Sequence, residues 1–285
     1  MADYLVYGKK GSGKSLVVVG RIKDALLAGK KVATNLNLKL DKLLPIGTRG
    51  VICYRLPDRP TIEDMEAIGI GSDKLDEATY GLVVLDEMAT WMNSRSWADK
   101  GRQALLDWFV HSRKMRWDSY MLCQSPNQID KQVRESLVEQ TVACKRLDKI
   151  RIPFLGALTK HFFGVELRAP KIHLAIVKYG VGNDAVLSDR WTYRGKNLYA
   201  AYDTEQKFSP TYSDGIFSYL SPWHVAGRYC KLSMGWRDYI KRFFNPAPSR
   251  LPAKPLHPVA RLVSQLPASE RVRHFQRLEQ LGAFK

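Results

Sequence analysis

Apolar residues in the first half of the chain fall into short continuous runs, separated by stretches that are apolar on one side only. Residues 3–7 (DYLVY) make the first run; a glycine-rich turn follows, and residues 15–28 then repeat apolar positions at helical spacing until Gly29 supplies a stop. Residues 31–38 and 50–55 read as the second and third strands, with a short helix over 61–68. The run 80–85 (YGLVVL) is almost wholly apolar, as in strands covered on both faces of a parallel sheet. A helix over 101–115 carries Leu105, Leu106, Phe109 and Val110 on one side, residues 119–123 make a further buried strand, and 126–136 read as helical. The alternation predicts a doubly wound α/β domain over residues 1–146.

The pattern changes near residue 145. Between 151 and 202 short alternating runs such as 171–179 and 190–193 are followed by turn signals, which predicts a β-rich annex over 147–240. Residues 241–285 hold six of the fourteen prolines and nine Lys/Arg against two Glu, so they read as a basic Pro-rich linker. It ends in an amphipathic helix over 269–283, with Val272, Phe275, Leu278 and Leu281 on one face.

Lys plus Arg number 45 against 28 Asp plus Glu, a formal net charge of +17. With 45% hydrophobic residues the chain is too apolar for a disordered basic tail, so the charge decorates a folded body and points to an anionic partner, nucleic acid or membrane lipid. The apolar stretches 153–167 and 216–225 are broken by Lys160, His161, Pro222 and His224, so no transmembrane helix is expected. The N-terminus lacks a basic segment followed by an apolar one, and no export signal is expected. Cys53, Cys123, Cys144 and Cys230 have neither CxxC spacing nor histidines at finger spacing, which argues against a zinc site and for a reducing cytoplasm.

The chemistry begins at Gly8-Lys9-Lys10-Gly11-Ser12-Gly13-Lys14-Ser15, which matches G-x-x-x-x-G-K-[ST] between a strand and a helix. Glycines let backbone N–H groups face a phosphate chain, the helix start adds positive potential, and Lys14 reaches the β- and γ-phosphates of ATP. Ser15 is a ligand for Mg2+ through its hydroxyl. The run Val83-Val84-Leu85-Asp86-Glu87 supplies a second metal ligand in Asp86 and a group to polarise the attacking water in Glu87, so hydrolysis is expected. Gln124, at the exit of the 119–123 strand, is placed to sense the γ-phosphate or to hold the water. This motif order resembles the additional-strand, catalytic-glutamate P-loop ATPases, the division of RecA-like and FtsK/HerA-like motors. No N-K-x-D guanine motif follows, which disfavours a GTPase.

More specific residues accumulate around these motifs: YLVYGKKGSGKSL at the start, Thr34-Asn35-Leu36, VVLDEM, HSRKMRWD over 111–118, CQSPNQIDKQVR over 123–134, and Tyr202-Asp203-Thr204 with Phe208. In this order they resemble the zonula occludens toxin (Zot) family, the assembly ATPases of filamentous bacteriophages, over roughly residues 1–220. The resemblance implies a phage-encoded ATPase that uses hydrolysis to extrude single-stranded phage DNA through the host envelope, with phage coat or membrane assembly proteins as partners. It also implies an anchor helix in the inner membrane; none is evident here, so recruitment by a partner to the cytoplasmic face is expected, with the basic tail as a tether to anionic lipid.

Motors of this type work as homo-oligomeric rings in which a neighbour's arginine completes the site, and Arg113, Arg116 and Arg134 are the candidates. Arg116 with Trp117, or Lys131 with Arg134, would alternatively line a DNA channel. Two competing readings stay open: a P-loop scaffold contacting coat or envelope proteins, and a motor for packaging or transferring double-stranded DNA.

Overall fold

A computed structural model of the chain describes residues 3–88, 100–129, 131–147, 172–180, 184–195 and 198–229. The chain divides into two units between Leu232 and Ser233. All the described residues belong to the first, and the expected basic linker and tail helix lie outside them.

The elements follow in the order β1 (Asp3–Tyr7), α1 (Lys14–Leu27), β2 (Val32–Thr34), α2 (Leu40–Leu43), β3 (Cys53–Arg55), α3 (Ile62–Ala67) and β4 (Gly81–Leu85). Then come α4 (Lys100–Val110), β5 (Trp117–Cys123), α5 (Lys131–Leu137), β6 (Gln140–Arg146), β7 (Ile172–Tyr179), β8 (Val186–Arg194) and β9 (Phe217–Ser218). The described strands form one sheet in the order β8-β7-β6-β1-β5-β4-β2-β3-β9. From β6 to β3 every pairing is parallel, while β7, β8 and β9 add antiparallel edges.

Alternation along the strands fills both faces. On β4, Leu82 and Val84 join Leu16, Val17, Val19 and Ile22 of α1 in one core. Val83 and Leu85 turn the other way, to Leu105, Leu106 and Phe109 of α4 and Met65 of α3. Each such aliphatic side chain contributes about 1.5–3 kcal/mol when it leaves water, so both helix layers are anchored by their apolar stripes. α1 ends as its sequence predicts: Lys30 N donates to Ala25 O at 3.0 Å across Gly29, whose φ is 77°. α3 is closed by a capping box in which Thr61 Oγ1 accepts from Asp64 N and Thr61 N donates to Asp64 Oδ2.

The structure departs from the sequence reading at β3, which starts only at Cys53, at α4, which ends at Val110 and not at 115, and in three further places. β2 stops at Thr34, well short of residue 38. The expected helix over 126–136 divides into a 3-10 turn, Pro126–Gln128, and α5, because the Gln128 side chain folds back to accept from Gln124 N and Ser125 N. Above all, no layer boundary falls at 146/147. β6 pairs with β7 from Gln140↔Tyr179 to Arg146↔His173, so β7 and β8 extend the sheet that holds the phosphate loop. The physical reason is packing on α1: Gly20 has no side chain to hold off the Tyr193 ring, and the Tyr193 hydroxyl donates to Asp24 Oδ2 at 2.6 Å. One turn along, Arg21 stacks on Trp191 at 4.6 Å.

Candidate functional site

Residues 8–15 connect β1 to α1 at the carboxyl edge of the parallel strands, beside the point where the chain order reverses and α/β sheets bind ligands. Gly13 caps α1 in a left-handed conformation, φ 91°, and no side chain bonds the helix start. The first N–H groups of α1 are thus presented to a ligand anion. A Cβ on Gly13 would collide with the His173 ring, which closes over the loop from β7 and bonds the Tyr199 hydroxyl through Nε2 at 2.9 Å. Lys14 Nζ folds onto Gly8 O at 2.9 Å and borders a cavity of about 980 Å3. Asp86, Glu87 and Gln124 line that cavity together with Arg146, His173 and Tyr199.

β5 lies between β1 and β4, so the phosphate loop and Asp86 come from strands separated by one inserted strand. Ser15 Oγ donates to Asp86 Oδ2 at 2.7 Å, and Asp86 Oδ1 accepts from Glu87 N at 2.7 Å. Burial raises the Asp86 carboxyl above its usual range, against the pull of Ser15, the Glu87 amide and Lys14. The adjoining hydroxyl and carboxylate are oxygen donors of the kind that hold Mg2+, and they fit that ion. Glu87 has a positive φ, 54°, rare for a residue with a side chain, and it reaches the cavity. Burial and the neighbouring Asp86 charge raise its pKa, while Lys14 and Lys10 oppose them, which moves it towards the range useful to a general base.

Gly11, Lys10 and Gln124 also border the cavity. Arg134 stands behind the Gln124 turn: its Nη1 donates to Pro126 O at 2.9 Å and to Asn127 Oδ1 at 3.1 Å. Arg113 is not brought to the site. It precedes β5 at the opposite edge of the sheet, pairs with Glu77 at 3.2 Å and is 72% exposed. Arg116 donates to Ser72 O at 2.8 Å. Trp117 does not line a channel: it is fully buried, packs under Gly71 and Gly81, and donates from Nε1 to Gly69 O at 2.8 Å. Lys131 is exposed and faces Glu135.

Motif reading passed over the contributions of Asn35, Arg146, His173, Tyr199 and Gln206. Asn35 bonds the main chain of Asp86, and the others border the cavity or its rim. For Asn35 a signal existed, since Thr34-Asn35-Leu36 stood out beside Tyr202-Asp203-Thr204 and Phe208, and five of these seven residues line the cavity.

The family model described as zonular occludens toxin (Zot) matches residues 2–183. The chain belongs to this family. The Gene 1 protein of Enterobacteria phage M13 is 48% identical over 251 residues, 85% of this chain and 72% of the relative. That of Escherichia phage If1 is 49% identical over 231 residues, 80% of this chain and 65% of the relative. Among solved structures, the N-terminal domain of the zonular occludens toxin from Neisseria meningitidis is 21% identical, covers 71% of this chain and all of its own, and has a TM-score of 0.40. This Zot-family chain is a P-loop ATPase by its nucleotide site. Among the described residues no helix is long and apolar enough to cross a membrane.

Proposed function

We propose that this Zot-family ATPase hydrolyses ATP with Mg2+ to power the assembly and extrusion of filamentous phage, moving single-stranded phage DNA at the cytoplasmic face of the host inner membrane. The observation that carries the reading is the junction of Ser15 with Asp86 at 2.7 Å, with Glu87 following on the same strand end. Lys14 and the loop amides bind the phosphates, Ser15 and Asp86 hold the metal, Glu87 takes the proton of the attacking water, and Gln124 orients that water. A Mg2+ held by Ser15 and Asp86 would supply charge neutralisation to the phosphates.

In this reading subunits form a ring. Arg113, exposed at the far edge of the sheet, reaches a neighbour's nucleotide, whereas Arg134 supports Gln124 within its own subunit. The +17 charge is shared between DNA and anionic lipid, and coat or membrane assembly proteins are the remaining partners. The experiment is paired: ATP turnover of Glu87→Gln, and virion release from cells carrying Lys14→Ala. Both are expected to fall to background. Undiminished virion release from Lys14→Ala would leave a scaffold in place of a motor.

A further inference from the structure

β2 ends at Thr34, yet its pairing with β4 continues through a side chain. Asn35 Oδ1 accepts from Asp86 N at 2.8 Å and Asn35 Nδ2 donates to Asp86 O at 3.1 Å, so the Asn35 amide acts as one more strand peptide. The same Nδ2 donates to Asp58 O at 3.1 Å, which uses both of its hydrogens. Asn35 is fully buried. Its two bonds hold the Asp86 peptide groups while the Asp86 carboxylate meets Ser15 and Glu87 N, and the chain then turns sharply through the positive φ of Glu87. Asn35 thus holds the main chain of the residue from which Glu87 leaves the strand.

The support of Asn35 comes from the segment 202–209, which borders the nucleotide cavity through Tyr202, Thr204 and Phe208. Gln206 Nε2 donates to Asn35 O at 2.8 Å and Gln206 Oε1 accepts from Asn37 N at 2.7 Å. Asp58 Oδ2 accepts from Ser209 N at 2.8 Å, and its Oδ1 pairs with Arg55 at 2.6 Å in a buried ion pair. Arg55 Nε in turn donates to Asn37 Oδ1 at 2.8 Å. The bonds of Gln206, Asp58 and Asn37 in this network tie the segment 202–209 to the end of β2, a use of buried polarity that fixes geometry more than it adds stability.

We propose that Asn35 is a positioning residue for hydrolysis, fixing the Asp86–Glu87 peptide, and that Gln206 ties it to the cavity-facing segment 202–209. The role rests on the ATPase reading above. It is tested on the full chain with Asn35→Asp and Gln206→Glu, measuring kcat together with the affinity for a fluorescent ATP analogue and the folded fraction. Both changes keep the side-chain shape and an accepting oxygen but remove the donating NH2: Asn35→Asp takes it from Asp86 O and Asp58 O, and Gln206→Glu takes it from Asn35 O and Asp58 Oδ1. Asn35→Asp is expected to lower kcat by ~10-fold or more, and Gln206→Glu by less, while analogue affinity stays within ~3-fold of the parent, because a small misplacement of the base costs rate and not binding.

Parental kcat in both variants overturns the proposal. So does a fall that matches the loss of folded, analogue-binding protein, which is the signature of a merely structural role. If Asn35→Asp does not fold, the half-buried Gln206 decides alone on the same two readouts. A parent chain that turns over ATP beside unchanged variants refutes only the positioning role; a parent with no Mg2+-dependent turnover removes the ATPase reading and this role together.

Discussion

Ser15 Oγ and Asp86 Oδ2 meet at 2.7 Å although 71 residues separate them in sequence, and this contact joins the start of α1 to the end of β4. The pair brings a hydroxyl and a carboxylate oxygen to one point, which is what a magnesium ion shared with a nucleotide requires. Asp86→Asn keeps the shape and one accepting oxygen, which can hold the bond from Ser15, but removes the one anionic donor of the pair. Its turnover is expected to fall at least ~100-fold and to become insensitive to Mg2+ concentration, since the metal supplies several kcal/mol of charge stabilisation. A Mg2+ titration of ATP turnover checks this; an unchanged Mg2+ response contradicts the assignment.

Glu87 should impose an acid limb on kcat. Its pKa is raised by burial and by the Asp86 charge, so as pH falls through that raised value the carboxylate takes up a proton and loses the capacity to accept one from water. Turnover therefore declines towards low pH, beginning above the ordinary glutamate range. Glu87→Gln is expected to retain ATP binding, to lose ~100-fold or more in kcat and to flatten the limb. A pH–rate profile of parent and variant carries the comparison, and a limb that survives the substitution belongs to another group.

The parallel core was legible because its strands are apolar runs and its helices carry apolar stripes: β1 and α1 lie within a residue of their expected bounds. The phosphate loop, Asp86 and Glu87 were legible because that chemistry is local, a few adjacent residues at a strand end. Membership of β7 and β8 in the sheet was not, since it depends on Gly20 admitting the Tyr193 ring from 173 residues away, a fact of packing with no local pattern. Asn35 escaped for the same reason. The run Thr34-Asn35-Leu36 marked it only as part of a family pattern, and the meaning of the buried amide comes from Asp86, which follows β4 beside it.

Gly13 and Gly29 separate two consequences of a positive φ. Gly13 (φ 91°) faces the His173 ring, whereas Gly29 (φ 77°) faces open space. Alanine at Gly13 must displace His173 or the phosphate loop, so Gly13→Ala is expected to abolish binding of a fluorescent ATP analogue. Gly29→Ala pays backbone strain alone, about 1–2 kcal/mol, and should bind the analogue as the parent does. Binding titrations beside thermal melts test the pair, and equal loss of binding in both would refer the effect to strain in α1.

Asp3 opens β1 at the edge remote from the nucleotide and is 9% exposed. Burial raises its carboxyl to about 7, with Ser119 opposing and the charges of Glu139 and Asp118 adding to the rise. An acid whose folded pKa exceeds its unfolded value of 3.8 takes up a proton on folding, so its stabilising contribution is full below that value and is lost as pH rises to about 7. Asp3→Asn holds the neutral form at every pH. The melting temperature of the variant should therefore exceed that of the parent by a margin that grows from about pH 4 to about pH 7 and is level above it. At the plateau the gain is about 2–10 °C, from ~1–3 kcal/mol of relieved desolvation. A margin independent of pH, or one that widens on acidification, would mean that Asp3 is ionised in the fold and that the cost of its burial is met by a partner.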